Sequence, residues 1–194
     1  MKAMKIGVLN IQGSVEEHLA ALQKLKAKTV LVKNPEDLKG LSGLIIPGGE
    51  STTITLLLKK YGLDKAIIKA YKKGMALYGT CAGAIILGTE VEDKSVKTLK
   101  LIDVTVDRNA YGSQLESFET DLYIPEIGKK KLHAIFIRAP KIVRTGKKVK
   151  LLAKQGNDPI LVKEGRIMLS TFHPELTDDL RIHKYFIEKI CQKN

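Results

Sequence analysis

Short apolar runs alternate with longer amphipathic stretches through the first half of the chain. The apolar runs cover residues 5–10, 29–32, 43–46 and 75–78. They are rich in aliphatic side chains, which is typical of buried strands. The intervening stretches have helical apolar spacing over residues 15–25, 52–60 and 64–72, with a short helical turn at 35–38. This alternation predicts a parallel sheet with helices on both faces.

The second half of the chain is richer in strand-like patterns. These patterns cover residues 99–107, 115–124, 131–138, 149–153, 159–162 and 167–172. The turn at 163–166 predicts a hairpin, and Asp178 or Asp179 is a candidate cap for a closing helix that runs to Ile190. We therefore expect an α/β, flavodoxin-like three-layer fold with a mostly parallel central sheet and added antiparallel strands in the C-terminal half. No repeat or linker divides the sequence, so residues 1–194 are predicted to form a single domain.

The composition is that of a globular protein of 194 residues, 44% hydrophobic and 28% charged. A formal net charge of +12 attracts nucleic acids or acidic partners. The lysines are spread along the whole chain, however, and no basic cluster is interleaved with aromatic residues, as a single-strand groove requires. We therefore expect no nucleic acid among the partners.

Targeting signals and cysteine usage indicate a cytoplasmic location. No run approaches the ~18 apolar residues of a membrane span, and the N-terminal segment lacks the apolar region of a signal peptide. The two cysteines, Cys81 and Cys191, do not make a disulfide framework. A reducing compartment without membrane association is expected, and Cys191, on the predicted final helix, is interpreted as an ordinary residue.

Cys81 lies between a predicted strand and a predicted helix, in the segment GTCAG over residues 79–83. A free cysteine is often a small buried hydrophobe, so the residue alone does not indicate catalysis. The two glycines, however, have the spacing of the nucleophile elbow G-x-S-x-G, with cysteine in place of serine. The helix start after Cys81 favours a thiolate, and the Ala82 amide is available to an oxyanion.

His173 is the candidate base among four histidines. It follows a predicted strand, and Pro174 restricts the turn so that His173 and Glu175 project in a defined relation. The carboxylate can hold one ring nitrogen while the other serves the thiol. The remaining histidines lie within predicted elements and are interpreted as structural or solvated: His18, His133 and His183.

The segment PGGESTT, residues 47–53, follows the third predicted strand. Its glycines permit close approach of a ligand and unusual φ angles, and Ser51 or Thr52 is a candidate cap for the next helix. Because parallel strands end at one edge of a sheet, we expect this loop to lie near Cys81 and to complete an oxyanion hole. It lacks the pattern of a phosphate-binding loop.

The motifs PGGEST, GTCAG and FHPEL together resemble those of the triad class of glutamine amidotransferases. More narrowly, the chain is similar to the glutaminase subunits of pyridoxal 5′-phosphate synthase complexes over nearly its whole length. The matching segments are residues 7–13, 47–53, 106–112, 136–140 and 170–177. The resemblance implies hydrolysis of L-glutamine to L-glutamate and ammonia. It also implies a partner, a (β/α)8-barrel synthase subunit that uses the ammonia to build pyridoxal 5′-phosphate from a pentose phosphate and a triose phosphate.

The resemblance also implies roles for individual residues. Cys81 is the expected nucleophile, His173 the proton shuttle and Glu175 its orienter, and the amides of Gly49 and Ala82 are the expected oxyanion hole. The positions that match the family's glutamine contacts are Gly49, Glu50, Ser51, Arg108, Ile137 and Arg138. Either of these two arginines suits the α-carboxylate of glutamine, although from sequence alone both could equally be surface residues. No cofactor and no metal are implied, and no zinc-like cluster occurs in the sequence.

Three other functions are less consistent with these motifs. A glutaminase serving a different synthase is disfavoured by the RNAYG and FIRAP segments, residues 108–112 and 136–140. A cysteine peptidase-like hydrolase on the same scaffold would share the elbow, but the HPE and PGGES motifs favour the amidase. A basic, non-enzymatic scaffold would leave all three motifs unexplained.

Overall fold

A seven-stranded sheet forms the centre of the molecule in the computed structural model, which describes residues 4–93, 95–108 and 117–192. The strands are β1 Lys5–Leu9, β2 Lys28–Val32, β3 Gly43–Ile46, β4 Ala76–Thr80, β5 Gly88–Val91, β6 Ile102–Asp107, β7 Phe118–Leu122, β8 Leu132–Phe136, β9 Lys141–Thr145, β10 Lys150–Gln155, β11 Asp158–Glu164 and β12 Ile167–Ser170. The helices are α1 Val15–Lys24, α2 Ser51–Lys60, α3 Leu63–Lys72, α4 Ala82–Leu87 and α5 Arg181–Tyr185. Short 3-10 turns cover Pro35–Leu38 and Pro174–Leu176, and a π-helical turn covers Phe186–Ile190.

The strand order of the central sheet is β10-β11-β12-β4-β3-β1-β2. The strands from β12 to β2 pair in parallel, whereas β10 and β11 are added antiparallel at one edge. This arrangement confirms the α/β fold expected from the sequence. The strand β2 lies on one side of β1, whereas β3 and β4 lie on the other. This change of direction between β1 and β3 opens a crevice at the carboxyl ends of these strands.

Both faces of the central sheet are covered, which explains why its strands read as continuous apolar runs. On β4, Leu77 faces a core that includes residues of α2 and α3. Its neighbours Ala76 and Tyr78 face a second core that includes residues of α1 and of the C-terminal segment. The sheet therefore forms the middle of three layers and holds β4 rigidly.

Two smaller sheets complete the second half of the described chain. One has the order β5-β6-β9, and the other is the antiparallel pair β7-β8, in which the Phe118 and Phe136 rings stack at 4.5 Å between centroids. The β11–β12 hairpin confirms the turn predicted at 163–166. The sequence pattern did not predict β5 or β9, because both are short and partly polar.

Helix starts differ in detail from the sequence expectations. Glu50, rather than Ser51 or Thr52, is the N-cap of α2, and its carboxylate accepts hydrogen bonds from the amides of Thr52 and Thr53. The closing helix begins after Leu180 and changes to a π-helical turn at Phe186. The Asp179 carboxylate still accepts a hydrogen bond from the Arg181 amide, whereas Asp178 pairs with Lys24. No helix in the described ranges is long and apolar enough to cross a membrane.

Candidate active site

Cys81 occupies a sharp turn between β4 and α4. Its φ of 48° and ψ of −105° lie in a region that L-residues rarely adopt. The Cys81 amide donates a hydrogen bond of 2.9 Å to the Ser170 carbonyl, so the turn is anchored to β12. Such a turn stores backbone strain, which persists only because the surrounding structure holds it.

The glycines on either side of Cys81 are required by close backbone packing. A Cβ on Gly79 would lie 2.5 Å from the carbonyl carbon of Gly83. A Cβ on Gly83 would overlap the carbonyl oxygen of Ile46, on the adjacent strand β3. The G-x-C-x-G spacing therefore reflects the fit of the turn against β3 and α4.

His173 reaches the cysteine from the neighbouring strand. Ser170 pairs with Thr80 in the β12–β4 ladder, so the chain ends of both strands lie side by side. The His173 amide donates to the Ile135 carbonyl at 2.8 Å, and the His173 Nδ1 lies 2.7 Å from Glu175 Oε1. Both side chains are buried.

The electrostatics of this pair favour an imidazolium–carboxylate arrangement. Burial lowers the pKa of His173, but hydrogen bonding to Cys81 and Glu175 outweighs it and raises the pKa to about 10. Burial would raise the pKa of Glu175, but His18 and the hydrogen bond with His173 hold it below its usual value. A carboxylate bound to Nδ1 orients the ring and leaves Nε2 for the thiol.

Gly48 lies against both reacting side chains. A Cβ at this position would lie 2.5 Å from His173 Cε1 and 3.3 Å from Cys81 Cβ. Neither Gly48 nor Gly49 has a positive φ, so the expectation of unusual φ angles in this loop is wrong. Gly48 is needed because a side chain would fill the space beside Cys81, whereas a Cβ on Gly49 would overlap the Gln12 side chain.

Three hydrogen bonds fix the loop at residues 47–50. The Gly48 amide donates to Thr80 Oγ1 at 3.0 Å, and the Gly48 carbonyl accepts from the Ser14 amide at 3.0 Å. The Glu50 amide donates to Gln12 Oε1 at 2.9 Å. In a trans peptide the Gly49 N–H points opposite to the Gly48 carbonyl, away from Ser14.

The other residues predicted to contact glutamine differ in the partners that they have in the structure. Arg108 donates to Glu50 Oε1 at 2.6 Å and to Asp93 Oδ2 at 3.2 Å, so its guanidinium is already paired with two carboxylates. Ser51 is buried and its hydroxyl has no hydrogen-bond partner among the described residues. The Ile137 carbonyl lies 4.0 Å from the Cys81 Sγ.

Arg138, which follows Ile137, is exposed and has a φ of 46°. Of the RNAYG segment, only Arg108 lies within the described residues, and 109–112 fall outside them. In the described part of the chain, no group of three or more His, Cys, Asp or Glu side chains is placed to hold a metal ion.

Sequence reasoning missed four residues that support the site: Gln12, His18, Thr80 and His183. Their hydrogen bonds join segments far apart in the sequence, so local patterns gave no direct signal. His18 did offer a weak one, since it lies on the apolar face of α1 with Val15, Leu19 and Leu22.

Known proteins match this chain over nearly its whole length. A model of the SNO glutamine amidotransferase family matches residues 8–192. The pyridoxal 5′-phosphate synthase subunit PdxT of Thermotoga petrophila is 54% identical over 187 residues, which cover 96% of this chain and 100% of that protein. The subunit of the same name from Kosmotoga olearia is 50% identical over 191 residues, or 98% of this chain and 100% of that protein. A solved crystal structure of a glutamine amidotransferase superposes with a TM-score of 0.89 at 45% identity and covers 94% of this chain and 97% of its own.

Proposed function

The chain belongs to the SNO glutamine amidotransferase family, and we propose that it hydrolyses L-glutamine to L-glutamate and ammonia as the glutaminase subunit of a pyridoxal 5′-phosphate synthase. The observation that carries this proposal is the convergence of Cys81, on its strained turn, with a His173–Glu175 pair joined at 2.7 Å, since Gly48 packs against Cys81 and His173 at the ends of neighbouring strands. The names of the relatives from Thermotoga petrophila and Kosmotoga olearia support the choice of synthase. We treat residues 1–194 as one glutaminase domain, which the family match over 8–192 supports.

In the proposed reaction, the Cys81 thiolate attacks the side-chain amide carbon of glutamine. His173 donates its proton to the leaving nitrogen, so ammonia departs and a glutamyl thioester remains. Neutral His173 then takes a proton from water, which attacks the thioester and releases glutamate and the thiolate. Glu175 keeps Nδ1 of the ring occupied throughout and stabilises the imidazolium.

The oxyanion of the tetrahedral intermediate is proposed to bind the amides of Gly49 and Ala82. Ala82 is the first residue of α4, where backbone N–H groups have no partner within the helix. The bond from Ser14 to the Gly48 carbonyl directs the Gly49 N–H to the opposite side of the peptide. Preorganised donors of this kind contribute about 3–4 kcal/mol each to transition-state stabilisation.

Substrate recognition is proposed to use Gly49, Glu50, Ser51, Arg108, Ile137 and Arg138. The buried Ser51 hydroxyl lacks a partner among the described residues and is suited to a polar group of the substrate. Arg108 is paired with Glu50 and Asp93, so its use for the α-carboxylate requires exchange of one of these partners. Arg138 forms no ion pair with any other described residue, so its use for the α-carboxylate requires no exchange of partners.

The proposed partner is a (β/α)8-barrel synthase subunit that receives the ammonia. A net charge of +12 favours docking to an acidic face, and such docking weakens as salt rises. A reducing compartment, the cytoplasm, is the proposed location, because the catalytic sulfur must not be oxidised to a disulfide.

The test is ammonia release from L-glutamine by the purified chain, measured with and without the synthase subunit at low and high salt. Asparagine and a glutamine-containing peptide are the control substrates. The proposal predicts release from glutamine alone, with stimulation by the synthase subunit that falls at high salt. Preferred cleavage of the peptide would indicate the peptidase-like hydrolase, and no stimulation would indicate a glutaminase of a different synthase.

A further inference from the structure

A row of buried polar side chains lies behind the proposed catalytic group. Glu175 binds His173 through Oε1, whereas its Oε2 is buried and has no hydrogen-bond partner in the described parts of the chain. The Nε2 of His18 lies 3.6 Å from this oxygen. His18 is 0% exposed, on α1, and the proposed reaction assigns it no role.

His18 also contacts Thr80, whose side chain anchors the loop at residues 47–50. Its Nε2 lies 3.2 Å from Thr80 Oγ1, and the same oxygen accepts the 3.0 Å hydrogen bond from the Gly48 amide. One imidazole nitrogen thus lies between Glu175 and Thr80. It joins the residue that orients His173 to the residue that anchors Gly48.

A second histidine lies against the other ring nitrogen of His18. His18 Nδ1 lies 2.9 Å from His183 Nε2. A carboxylate only accepts hydrogen bonds, so His18 faces Glu175 favourably when its Nε2 carries the proton. His18 Nδ1 then accepts from His183 Nε2–H, and the His183 Nδ1, which is buried and unpaired in the described structure, is the bare nitrogen.

Both histidines are neutral in this arrangement. Burial lowers the pKa of His18, although the Glu175 charge opposes this effect. Burial and the proximity of His18 lower the pKa of His183 to about 3. The charged or titratable groups that act on His18 are Glu175, His173 and Glu17, with His183 in direct contact.

We propose that His18 is a positioning residue for glutamine hydrolysis. Its Nε2 packs 3.6 Å behind the Glu175 carboxylate and links this carboxylate through Thr80 Oγ1 to the loop at residues 47–50. This inference rests on the proposed function. His18 does not touch the reacting atoms, and its effect is transmitted through the orientation of His173 and the position of the Gly48 peptide. Loss of the Nε2–H donor is therefore expected to lower kcat while leaving KM nearly unchanged.

The experiment compares His18→Leu with His18→Gln in the complex with the synthase subunit. Leucine fills the space without a donor, whereas the glutamine amide can place an N–H near the position of Nε2. We expect kcat to fall at least about tenfold in His18→Leu and to recover in His18→Gln. The acidic limb of the pH profile should also move to higher pH in His18→Leu, because the Glu175 carboxylate then faces an apolar side chain in place of the polar Nε2–H.

Leu22→Ala is the matched control, since Leu22 is a fully buried residue of the same helix that packs in the core. It should lower thermal stability without moving the pH profile. If His18→Leu does not fold, Thr80→Val serves in its place, because it keeps the volume and removes the hydroxyl. Thr80→Val should lower kcat, and Thr80→Ser should restore it.

A double-mutant cycle then tests the coupling between His18 and Glu175. The combined His18→Leu and Glu175→Gln variant should lose much less activity than the product of the two single losses. Independent effects, or an unshifted pH profile with normal kcat in His18→Leu, would overturn the inference. Cys81→Ala distinguishes failure of this inference from failure of the proposed function, because an active Cys81→Ala protein would refute the proposed function itself.

Discussion

The Nδ1 of His173 and the Oε1 of Glu175 lie 2.7 Å apart, in a turn where both side chains are buried. The pair is only two residues apart in the sequence, and Pro174 between them begins a 3-10 turn. This local geometry sets the orientation of the His173 imidazole, while the pairing of β12 with β4 places the imidazole next to Cys81. The orientation of the proposed base is therefore set by short-range structure and its location by the sheet.

Glu175→Gln should slow glutamine hydrolysis severely without unfolding the protein. A glutamine side chain can hold the wrong tautomer of His173, and the analogous change in a serine triad lowers kcat on the order of 10⁴-fold. Steady-state kinetics in the presence of the synthase subunit measure the effect. His173→Asn should lower kcat at least as much. A normal kcat in Glu175→Gln would show that Glu175 is only a structural residue of the turn.

The pKa of His173 should fall when Glu175 loses its charge. Burial lowers this pKa, while Cys81 and Glu175 raise it to about 10 in the folded protein. Because Glu175 is one of the two residues that raise the pKa of His173, removal of its charge must lower this pKa. NMR titration of imidazole-labelled protein measures the shift directly and does not depend on activity, and His173→Asn identifies the resonance. An unchanged His173 pKa in Glu175→Gln would contradict the assigned interaction.

Gly83→Ala should destabilise the fold, because the new Cβ overlaps the Ile46 carbonyl oxygen. Forced overlap in a packed region costs about 1–3 kcal/mol, which corresponds to roughly 2–4 °C of Tm per kcal/mol for a protein of this size. The control is Gly156→Asn, at a turn with a φ of 59° and no atom within 4 Å of an added Cβ, since Asn tolerates this backbone region. Calorimetry should show a lower Tm for the first variant alone.

Acid should destabilise the protein in part through His183. Its folded pKa of about 3 lies below the ordinary value of 6.5, so the unfolded chain binds more protons between these two values. The free energy of unfolding therefore falls as pH drops through this window, by up to about 1.4 kcal/mol per pH unit for one group. Urea unfolding from pH 7 downward should show a shallower pH slope in His183→Leu than in wild type. Equal slopes would mean that His183 is not buried in the neutral form.

Much of the fold was accessible from the sequence because burial on both sheet faces produces uninterrupted apolar runs. The runs containing β1, β3 and β4 were found in this way, and the parallel order placed Cys81 and the 47–53 loop at one edge. The strands β5 and β9 were missed because Thr89, Glu90, Val143 and Arg144 are not buried, so neither strand has a continuous apolar pattern.

The candidate site was partly accessible for the same reason. The motifs around Cys81 and His173 are local, and the family they indicated is confirmed by the match over 8–192. The bonds of Thr80 with Gly48 and His18 were not accessible, because they depend on three-dimensional packing between β4, α1 and the 47–50 loop. The helix cap was misassigned since Ser and Thr are common caps, while the Glu50 carboxylate reaches two amides at once.

The central claim is that Cys81 is the nucleophile of a glutaminase, and the most direct measurement is the glutamine hydrolysis rate of Cys81→Ala beside Cys191→Ala. Cys191 is buried at the end of the chain, and burial raises the pKa of its thiol to about 12, so it serves as the matched cysteine control. Both variants are assayed with the synthase subunit, and circular dichroism confirms their folding. The account predicts loss of activity in Cys81→Ala and normal activity in Cys191→Ala. Retention of even about a tenth of wild-type activity in a folded Cys81→Ala protein would contradict it, because the oxyanion hole and substrate binding alone provide only a small residual rate.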